Sequence, residues 1–174
     1  MIRTWGIRLV VALAAMGLTI SAASADEGSA NLHASLTGFQ ETPPILTDAT
    51  GTFTATVQGS SLTYTLTYSG LSAPVTQAHI HFGQAGVAGG VSIFLCGTAV
   101  SPGPAGTPTC PQAGPVSRTV SAADVVGPAG QGVAAGDFAG VLRFIQAGEG
   151  YANVHTTAHP AGEIRGQIHT GFED

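Results

Sequence analysis

The sequence contains no lysine, and charged residues make up only 9% of its 174 residues. The absence of lysine excludes Schiff-base chemistry, a Walker-type phosphate loop and a lysine-assisted serine nucleophile. Aromatic residues amount to 6% of the chain, which argues against a carbohydrate-binding cleft. No serine lies in a Gly-x-Ser-x-Gly context, so a hydrolase triad lacks its usual nucleophile elbow. These absences favour a protein that is not an enzyme.

Long apolar runs are limited to one, near the N-terminus. Two arginines precede an uncharged apolar run over residues 9–20, and Ala23-Ser24-Ala25 supplies the small-x-small pattern that signal peptidase recognises. The sequence therefore predicts a signal peptide over residues 1–25, cleaved between Ala25 and Asp26. The run is too short to cross a bilayer comfortably, and no cysteine follows the cut for lipid attachment. We expect a soluble, secreted or periplasmic product that has no membrane span and is not a lipoprotein.

Residues 26–174 are expected to form one domain. Loss of the signal peptide leaves three arginines against ten acidic residues, a formal charge of −7. This acidic balance argues against nucleic acid or an anionic membrane as a partner. The two cysteines, Cys96 and Cys110, bracket a segment rich in glycine and proline. In an oxidising compartment we expect them to form a disulfide rather than to remain free thiols.

Alternation of apolar and polar residues with a period of two predicts half-buried strands along most of this domain. Thr52–Val57 (TFTATV) and Leu62–Tyr68 (LTYTLTY) are the clearest cases, and the four residues between them predict a hairpin. Further strands are predicted at Asn31–Leu36, Val75–Phe82, Val91–Cys96, Val116–Val120, Tyr151–Thr156 and Glu163–His169.

Two short helical segments are predicted between the strands. Ser121 to Asp124 fits a capping box that opens a brief turn, and Asp137 can cap a helix over Phe138 to Ala147. Many short strands with connections rich in glycine and proline favour an all-β fold. The sequence therefore predicts an antiparallel β-sandwich or barrel of about eight short strands with one or two short helices.

Three of the predicted strands carry polar side chains on one face. Because side chains alternate across a strand, His79 and His81 share the face opposite the apolar residues of their strand. The last two predicted strands should form a hairpin with Asn153 opposite Arg165, a register that keeps the apolar residues on the core side. The same register sets His155 opposite Glu163. If the strand of His79 lies in the same sheet, one compact cluster results, comprising His79, His81, His155, Glu163 and Arg165.

The histidines of this cluster are candidate metal ligands. Two histidines at i and i+2 on a strand, with a third from a neighbouring strand, supply the nitrogen ligands that Cu(II) and Zn(II) prefer. We therefore predict His79, His81 and His155 as ligands, with copper or zinc as the candidate ion. The alternative is a structural network in which Glu163 and Arg165 pair and the histidines hydrogen-bond to neighbouring backbone.

The His-x-His strand resembles the copper-ligand strand of copper-zinc superoxide dismutases, which are β-sandwich proteins. Their zinc loop, with its further histidines and aspartate, has no counterpart here, because only Gly-, Ala- and Pro-rich sequence follows His81. No dismutase activity is expected on this basis.

Three motifs, in this order, resemble the CHRD domain, which is named after the extracellular protein chordin and also occurs in many bacterial secreted proteins. They are LTGFQETPP from Leu36, AHIH from Ala78, and YANVHT from Tyr151 followed by GEIRGQ from Gly162. The similarity spans about residues 30–169. It implies an extracellular β-rich domain without an established general enzymatic activity. We assign four polar residues of these motifs to a structural network: Glu41, Asn153, Glu163 and Arg165.

Two functional hypotheses follow. The first is a non-catalytic binding or structural module that meets an extracellular ligand or surface. The second is a metal-binding protein, such as a copper carrier or a redox enzyme, that uses the three histidines. Metal binding measured by calorimetry distinguishes them.

Overall fold

The computed structural model of the protein describes residues 29–171, together with Met1. The predicted cleavage site lies outside the described residues, as does the predicted signal peptide apart from Met1. The strands are β1 (Ala30–Thr37), β2 (Thr50–Gln58), β3 (Ser61–Ser69), β4 (Val75–Phe82), β5 (Gly90–Gly97), β6 (Gly114–Ser121), β7 (Gly150–Thr156), β8 (Ile164–Gln167) and β9 (His169–Thr170). The α-helix is α1 (Phe138–Gln146), and short 3-10 turns span Gly38–Gln40, Ala122–Asp124 and Ala129–Gln131.

The strands form one antiparallel sheet in the order β5-β4-β7-β8-β1-β2-β3-β6, and β9 also pairs with β1. The sheet curls until its two ends meet. Just after β6, Val125 forms a bridge to Ile93 of β5, and Val126 donates a hydrogen bond to the carbonyl of Ser92 at 2.9 Å. The predicted all-β antiparallel fold is confirmed, in the form of a nearly closed barrel.

The predicted hairpin of β2 and β3 is confirmed residue by residue. Thr52 lies opposite Thr67 and Phe53 opposite Leu66, and the turn lies between Gln58 and Ser61. The apolar residues of both strands point into the barrel and are buried, whereas the threonines alternate on the outer face. This alternation is what the period-two pattern predicts for a sheet with one solvent-exposed face.

Helix α1 begins where the sequence predicts. The Asp137 side chain accepts a hydrogen bond from the backbone N–H of Gly140 at 2.8 Å, which satisfies one of the free donors at the helix N-terminus. Val141 and Ile145 are buried, and the ring of Phe144 stacks on that of Phe82 with centroids 4.5 Å apart. In residues 29–171 no helix has the length and apolar character needed to cross a membrane.

The predicted single strand over Glu163–His169 is wrong, because this segment divides into β8 and β9. The pairing of β8 with β7 ends at Gln167, which lies opposite Tyr151. Since β7 begins at Gly150, Ile168 makes a last hydrogen bond to the carbonyl of Gly150 at 2.8 Å. The next two residues pair only with β1. The alternation of side chains continues across this break, so the sequence pattern carries no sign of it.

The predicted disulfide is present between Cys96, in β5, and Cys110. Both cysteines are buried, and their Cα atoms are 5.0 Å apart. The bridge fastens an irregular segment whose other contacts include a hydrogen bond from the Cys110 N–H to the carbonyl of Gly97 at 2.9 Å. The hydroxyl of Tyr68 in β3 donates to the carbonyl of Pro111 at 2.6 Å. The disulfide thus ties this segment to the end of β5.

We expect the double substitution Cys96→Ala, Cys110→Ala to lower the free energy of unfolding by about 3 kcal/mol, because the bridge closes a loop of roughly 15 residues in the unfolded chain. Denaturant unfolding of the two proteins at equal temperature and pH measures the difference. The conservative substitution Val100→Ala, at an exposed position inside the loop, is the control and should change stability little. Equal stability of the double variant and the parent would contradict a stabilising role for the bridge.

Candidate functional site

The candidate site lies on a sheet surface that is buried on both sides. Ala78 and Ile80 of β4 pack inside the barrel, as the sequence predicts, and His79 and His81 point to the opposite face. That face is also covered: every residue of β7 is buried, and Arg165 is only 2% exposed. We expected the register of the β7–β8 hairpin to keep the charged residues out of the core. It does so, but it places them in a second interior, which is polar.

Strand pairing brings the predicted polar residues together. The predicted register of the β7–β8 hairpin is confirmed, with Asn153 opposite Arg165, and the ladder ends at Val154 and Ile164, one pair before Glu163. β4 lies on the other side of β7 and sets His79 opposite Asn153. We call the buried side chains on this face the polar layer: His79, His81, Tyr151, Asn153, His155 and Arg165.

Arg165 fastens the loop between β4 and β5 over the polar layer. Its guanidinium donates hydrogen bonds to the carbonyls of Gln84 at 2.8 Å and Val87 at 3.0 Å. The same group lies 3.5 Å from the centroid of the Tyr151 ring, a cation–π contact. The Tyr151 hydroxyl accepts a hydrogen bond from the N–H of Gly89 at 3.0 Å. The loop is therefore held at both ends by residues of the layer.

The predicted pairing of Glu163 with Arg165 is wrong. Glu163 instead accepts hydrogen bonds at 2.8–2.9 Å from the hydroxyls of Thr47 and Thr156 and from the N–H of Ser72. Burial alone would raise the pKa of Glu163, but these donors outweigh it and hold the pKa below its usual range. Glu163 thus anchors two chain segments as a fully bonded carboxylate, and Arg165 finds its partners among backbone carbonyls.

The three predicted ligand histidines contact one another. The ring nitrogens His79 Nδ1 and His155 Nε2 are 3.1 Å apart, and the ring centroids of His79 and His81 are 5.3 Å apart. One ring nitrogen from each of the three lies within 4.8 Å of the others. The exposed fractions of the three side chains are 2%, 7% and 5% for His79, His81 and His155. In the part of the chain that the structure describes, this is the group with metal-ligand spacing.

Backbone carbonyls fix the orientation of two of these rings. His81 Nδ1 lies 3.0 Å from the carbonyl oxygen of Gly89, and His155 Nδ1 lies 3.0 Å from that of Pro160. A carbonyl oxygen only accepts, so both Nδ1 atoms carry the proton and both Nε2 atoms are lone-pair acceptors. His155 Nε2 accepts from His79 Nδ1, which makes His79 Nε2 an acceptor as well.

The three imidazoles are neutral in the folded protein. Burial lowers the pKa of His79 to about 2, and the neighbouring His155 and His81 contribute to the same shift. Burial likewise lowers the pKa of His81 to about 4, against the hydrogen bond to Gly89, which acts in the opposite direction. Burial also lowers the pKa of His155. The site therefore presents nitrogen lone pairs at neutral pH without prior loss of a proton.

Several acceptors of the polar layer have no hydrogen-bond partner among the described residues. They are His79 Nε2, His81 Nε2 and Asn153 Oδ1. Asn153 lies directly opposite His79 in the sheet, so all three belong to one region. Buried acceptors without a donor are rare, because each costs about 1–3 kcal/mol. A bound cation satisfies such a set, since it interacts with several lone pairs at once.

The packing around the histidines is aromatic. The edge of the His79 ring meets the ring of Phe94 at a centroid distance of 4.5 Å, and the His81 ring stacks on Tyr151 at 4.7 Å with the planes 3° apart. Neither Phe94 nor Tyr151 was among the residues predicted for the site. The position of Tyr151 at an even spacing from Asn153 and His155 was the available signal, because it places the ring on the same face of β7.

Glu41 borders the polar layer from the segment after β1. Its carboxylate accepts a hydrogen bond from Asn153 Nδ2 at 2.5 Å, and together with Arg165 it lines a surface cavity of about 280 Å³. None of the three histidines lines that cavity. Burial raises the pKa of Glu41 to about 7, even though Arg165 and the hydrogen bonds from Thr42 and Asn153 act in the opposite direction. Glu41 is therefore partly protonated near neutral pH.

The remaining histidines lie elsewhere. His33 lies in β1 and is half-buried, with its Nδ1 in contact with the carbonyl oxygen of Gly171. The rings of His33 and His169 are 5.9 Å apart. His159 lies in the turn between β7 and β8. These residues are separate from the cluster of His79, His81 and His155.

The substitution Glu41→Gln should change the pH dependence of stability. Because the pKa of Glu41 is raised on folding, its stabilising contribution is complete below about pH 4.5 and is lost as the pH rises through about 7. Gln keeps the acceptor for Asn153 and does not ionise. Relative to the parent, the variant should therefore gain on the order of 1–2 kcal/mol between pH 5 and pH 8, since one pKa unit corresponds to about 1.4 kcal/mol and solvent screens part of this.

Unfolding midpoints of both proteins over this pH range measure that gain. The difference between the two proteins isolates Glu41 from the histidines, whose lowered pKa values act in both alike. The isosteric substitution Glu149→Gln, which removes one carboxylate elsewhere in the chain, is the control for the loss of a charge. A stability difference that does not vary with pH would contradict the raised pKa of Glu41.

The comparisons with known proteins identify the family. The family model described as the CHRD domain matches residues 32–168, which is most of the chain. No curated protein and no solved structure matches the chain. The match covers most of β1, the polar layer and the hairpin of β7 and β8, in agreement with the resemblance of the three sequence motifs. The chain belongs to the CHRD domain family.

Proposed function

We propose that the protein works outside the cytoplasm as a non-catalytic binding module and that it binds a transition metal ion, copper or zinc, through His79, His81 and His155. Three observations support the location: the predicted signal peptide, the disulfide, and the resemblance to a family of extracellular domains. The metal part of the proposal rests on the geometry of the three histidines.

The observation that carries the metal proposal is the convergence of buried lone pairs. Backbone carbonyls at Gly89 and Pro160 hold the Nδ1 protons of His81 and His155, which turns each Nε2 into a potential ligand atom. Such a carbonyl behind the ligand is the usual arrangement that orients metal-binding histidines. A metal at His155 Nε2 would replace the hydrogen bond from His79 Nδ1, and His79 would then bind the ion through Nδ1 with its proton moved to Nε2.

The nitrogen atoms of the three histidines must move slightly closer together to bind one ion. Metal–nitrogen bonds of about 2.0–2.1 Å place the ligands of one ion roughly 3.3–3.6 Å from each other. His79 and His155 are already at 3.1 Å, and the full set spans up to 4.8 Å. A shift of the His81 side chain, which is held by its hydrogen bond to Gly89 and its stack on Tyr151, would be needed to close the remaining gap. The chain itself supplies three nitrogen ligands to such an ion.

The module is proposed as non-catalytic because the charged side chains of the layer serve the fold. Arg165 is bonded to the carbonyls of the β4–β5 loop, and Glu163 is bonded to three donors of its own. Neither has a free functional group to act on a substrate at the histidines. Binding, and not turnover, is what the arrangement supports.

The competing explanation is a purely structural polar layer. It accounts for the hydrogen bonds of His81 and His155 to backbone, but it leaves the buried Nε2 lone pair of His81 unexplained. Under this explanation the histidines stabilise the protein equally with and without metal. A ligand site instead predicts stabilisation that depends on the metal concentration.

The test is calorimetric titration of Cu(II) and Zn(II) into the purified, disulfide-bonded protein, which should carry no histidine tag. We expect about one ion per chain and a rise in unfolding temperature with metal concentration. His81→Asn should weaken binding by at least about 100-fold, because it removes a ligand. His169→Ala is the matched control: it removes a histidine from the surface pair with His33 and should leave binding unchanged.

Circular dichroism and the unfolding temperature without metal establish that each variant folds. If His81→Asn fails this check, His155→Gln takes its place. A stoichiometry near zero in the parent protein would overturn the metal proposal and leave the structural layer. Binding that is lost in His169→Ala and retained in His81→Asn would assign the metal to the surface pair and overturn it equally.

A further inference from the structure

We infer that the three-histidine site prefers monovalent copper, Cu(I), over the divalent ions Cu(II) and Zn(II). This inference deepens the proposed function and depends on it. It follows from the charge of the ligand set, the charge of its surroundings and the number of ligands that the chain supplies.

The ligand set carries no negative charge. Its members are three neutral imidazoles, and no carboxylate belongs to the group of close ligand atoms. Both cysteines are joined in the disulfide, so among the described residues no thiolate is available. A Cu(I) ion bound here leaves a net charge of +1 in the site, and a Zn(II) or Cu(II) ion leaves +2.

Burial of the site makes the free-energy difference between binding a monovalent and a divalent ion large. The three side chains are at most 7% exposed, and the rings of Phe94 and Tyr151 form part of the wall. The free energy of transferring an ion from water into a low-dielectric interior grows with the square of its charge, and for a single charge it already amounts to several kcal/mol in proteins. A divalent ion therefore requires compensating negative charge far more than a monovalent ion does.

The charged groups near the site do not supply that compensation. The guanidinium of Arg165 covers the same Tyr151 ring on which His81 stacks, and its positive charge contributes to the lowered pKa of His81. Glu163 is bonded to Thr47, Ser72 and Thr156. Glu41 is bonded to Asn153 and lies beyond the group of close ligand atoms. The positive charge of Arg165 thus repels a cation at His81.

The number of ligands that the chain supplies also favours Cu(I) over the divalent ions. Cu(I) is stable with two or three ligands, whereas Zn(II) in proteins is almost always four-coordinate. The chain brings three nitrogens together, and the covering loop, held by Arg165, excludes solvent from the histidines. A fourth hard ligand for a divalent ion would have to come from Asn153 Oδ1, a neutral amide oxygen.

The experiment measures the affinities of Cu(I) and Zn(II) separately, by competition with chromophoric chelators of known affinity. Cu(I) is generated anaerobically with ascorbate, which avoids thiol reductants and so preserves the disulfide. We expect Cu(I) to bind about three orders of magnitude more tightly than Zn(II), a difference of about 4 kcal/mol. X-ray absorption of the Cu(I) form should show nitrogen ligands and no sulfur.

A charge-changing variant tests the cause. The double substitution Asn153→Asp, Glu41→Gln introduces a carboxylate directly opposite His79 at nearly constant side-chain volume, and it places an amide donor where the Glu41 carboxylate accepted from Asn153. It should lower the ratio of Cu(I) to Zn(II) affinity by at least about 10-fold, because the added negative charge favours the divalent ion more. The control His169→Ala should leave both affinities and their ratio unchanged.

The outcomes separate the two proposals. Zn(II) affinity equal to or greater than that of Cu(I) would overturn the preference and leave the metal site of the proposed function intact. An affinity ratio that is the same in the folded double variant Asn153→Asp, Glu41→Gln as in Glu41→Gln alone would overturn the charge argument. Failure of both ions to bind more tightly than to the double variant His79→Ala, His81→Ala would overturn the proposed function and the inference with it.

Discussion

Both faces of β7 are buried, and the arrangement of the polar residues depends on this constraint. One face packs against the apolar interior of the barrel through Ala152 and Val154. The other carries Tyr151, Asn153 and His155 and is covered by loops, so its polar atoms must find partners inside the protein. The loops provide them: the carbonyls of Gly89 and Pro160 accept from histidines, and those of the β4–β5 loop accept from Arg165.

The period-two pattern was sufficient to predict β1 to β7, because each of these strands has an apolar set that must reach the core, but it missed the break between β8 and β9. In the β7–β8 hairpin, alternation excludes any odd shift, which would turn Val154 or Ile164 away from the barrel, and Asn153 opposite Arg165 is one of the registers that it allows. The helix cap at Asp137 and the disulfide could likewise be predicted from the residue types and their neighbours in sequence. These are features in which a residue and its near neighbours in sequence decide the outcome.

The burial of the polar face could not be predicted in this way. Alternation states which side chains share a face, but it does not state what covers that face. Glu163 and Arg165 are two residues apart on one strand, which suggested an ion pair, and their real partners come from loops that are distant in sequence. The partner of a long polar side chain depends on loop conformation, and glycine-rich loops such as the one after β4 carry little pattern from which to infer it.

The distribution of satisfied and unsatisfied atoms within the polar layer argues that it does more than stabilise the barrel. The fold provides three donors for Glu163 and two carbonyls for Arg165, so it is able to meet the demands of buried charged groups. The atoms that it leaves without a partner among the described residues include two histidine nitrogens and the amide oxygen opposite one of them. All are acceptors. A purely structural layer would be improved by replacing these histidines with apolar residues of similar volume, because each unpaired acceptor destabilises the folded state. Their presence is accounted for when a cation is the missing partner, and the neutral, aromatic surroundings then determine which cation the site tolerates.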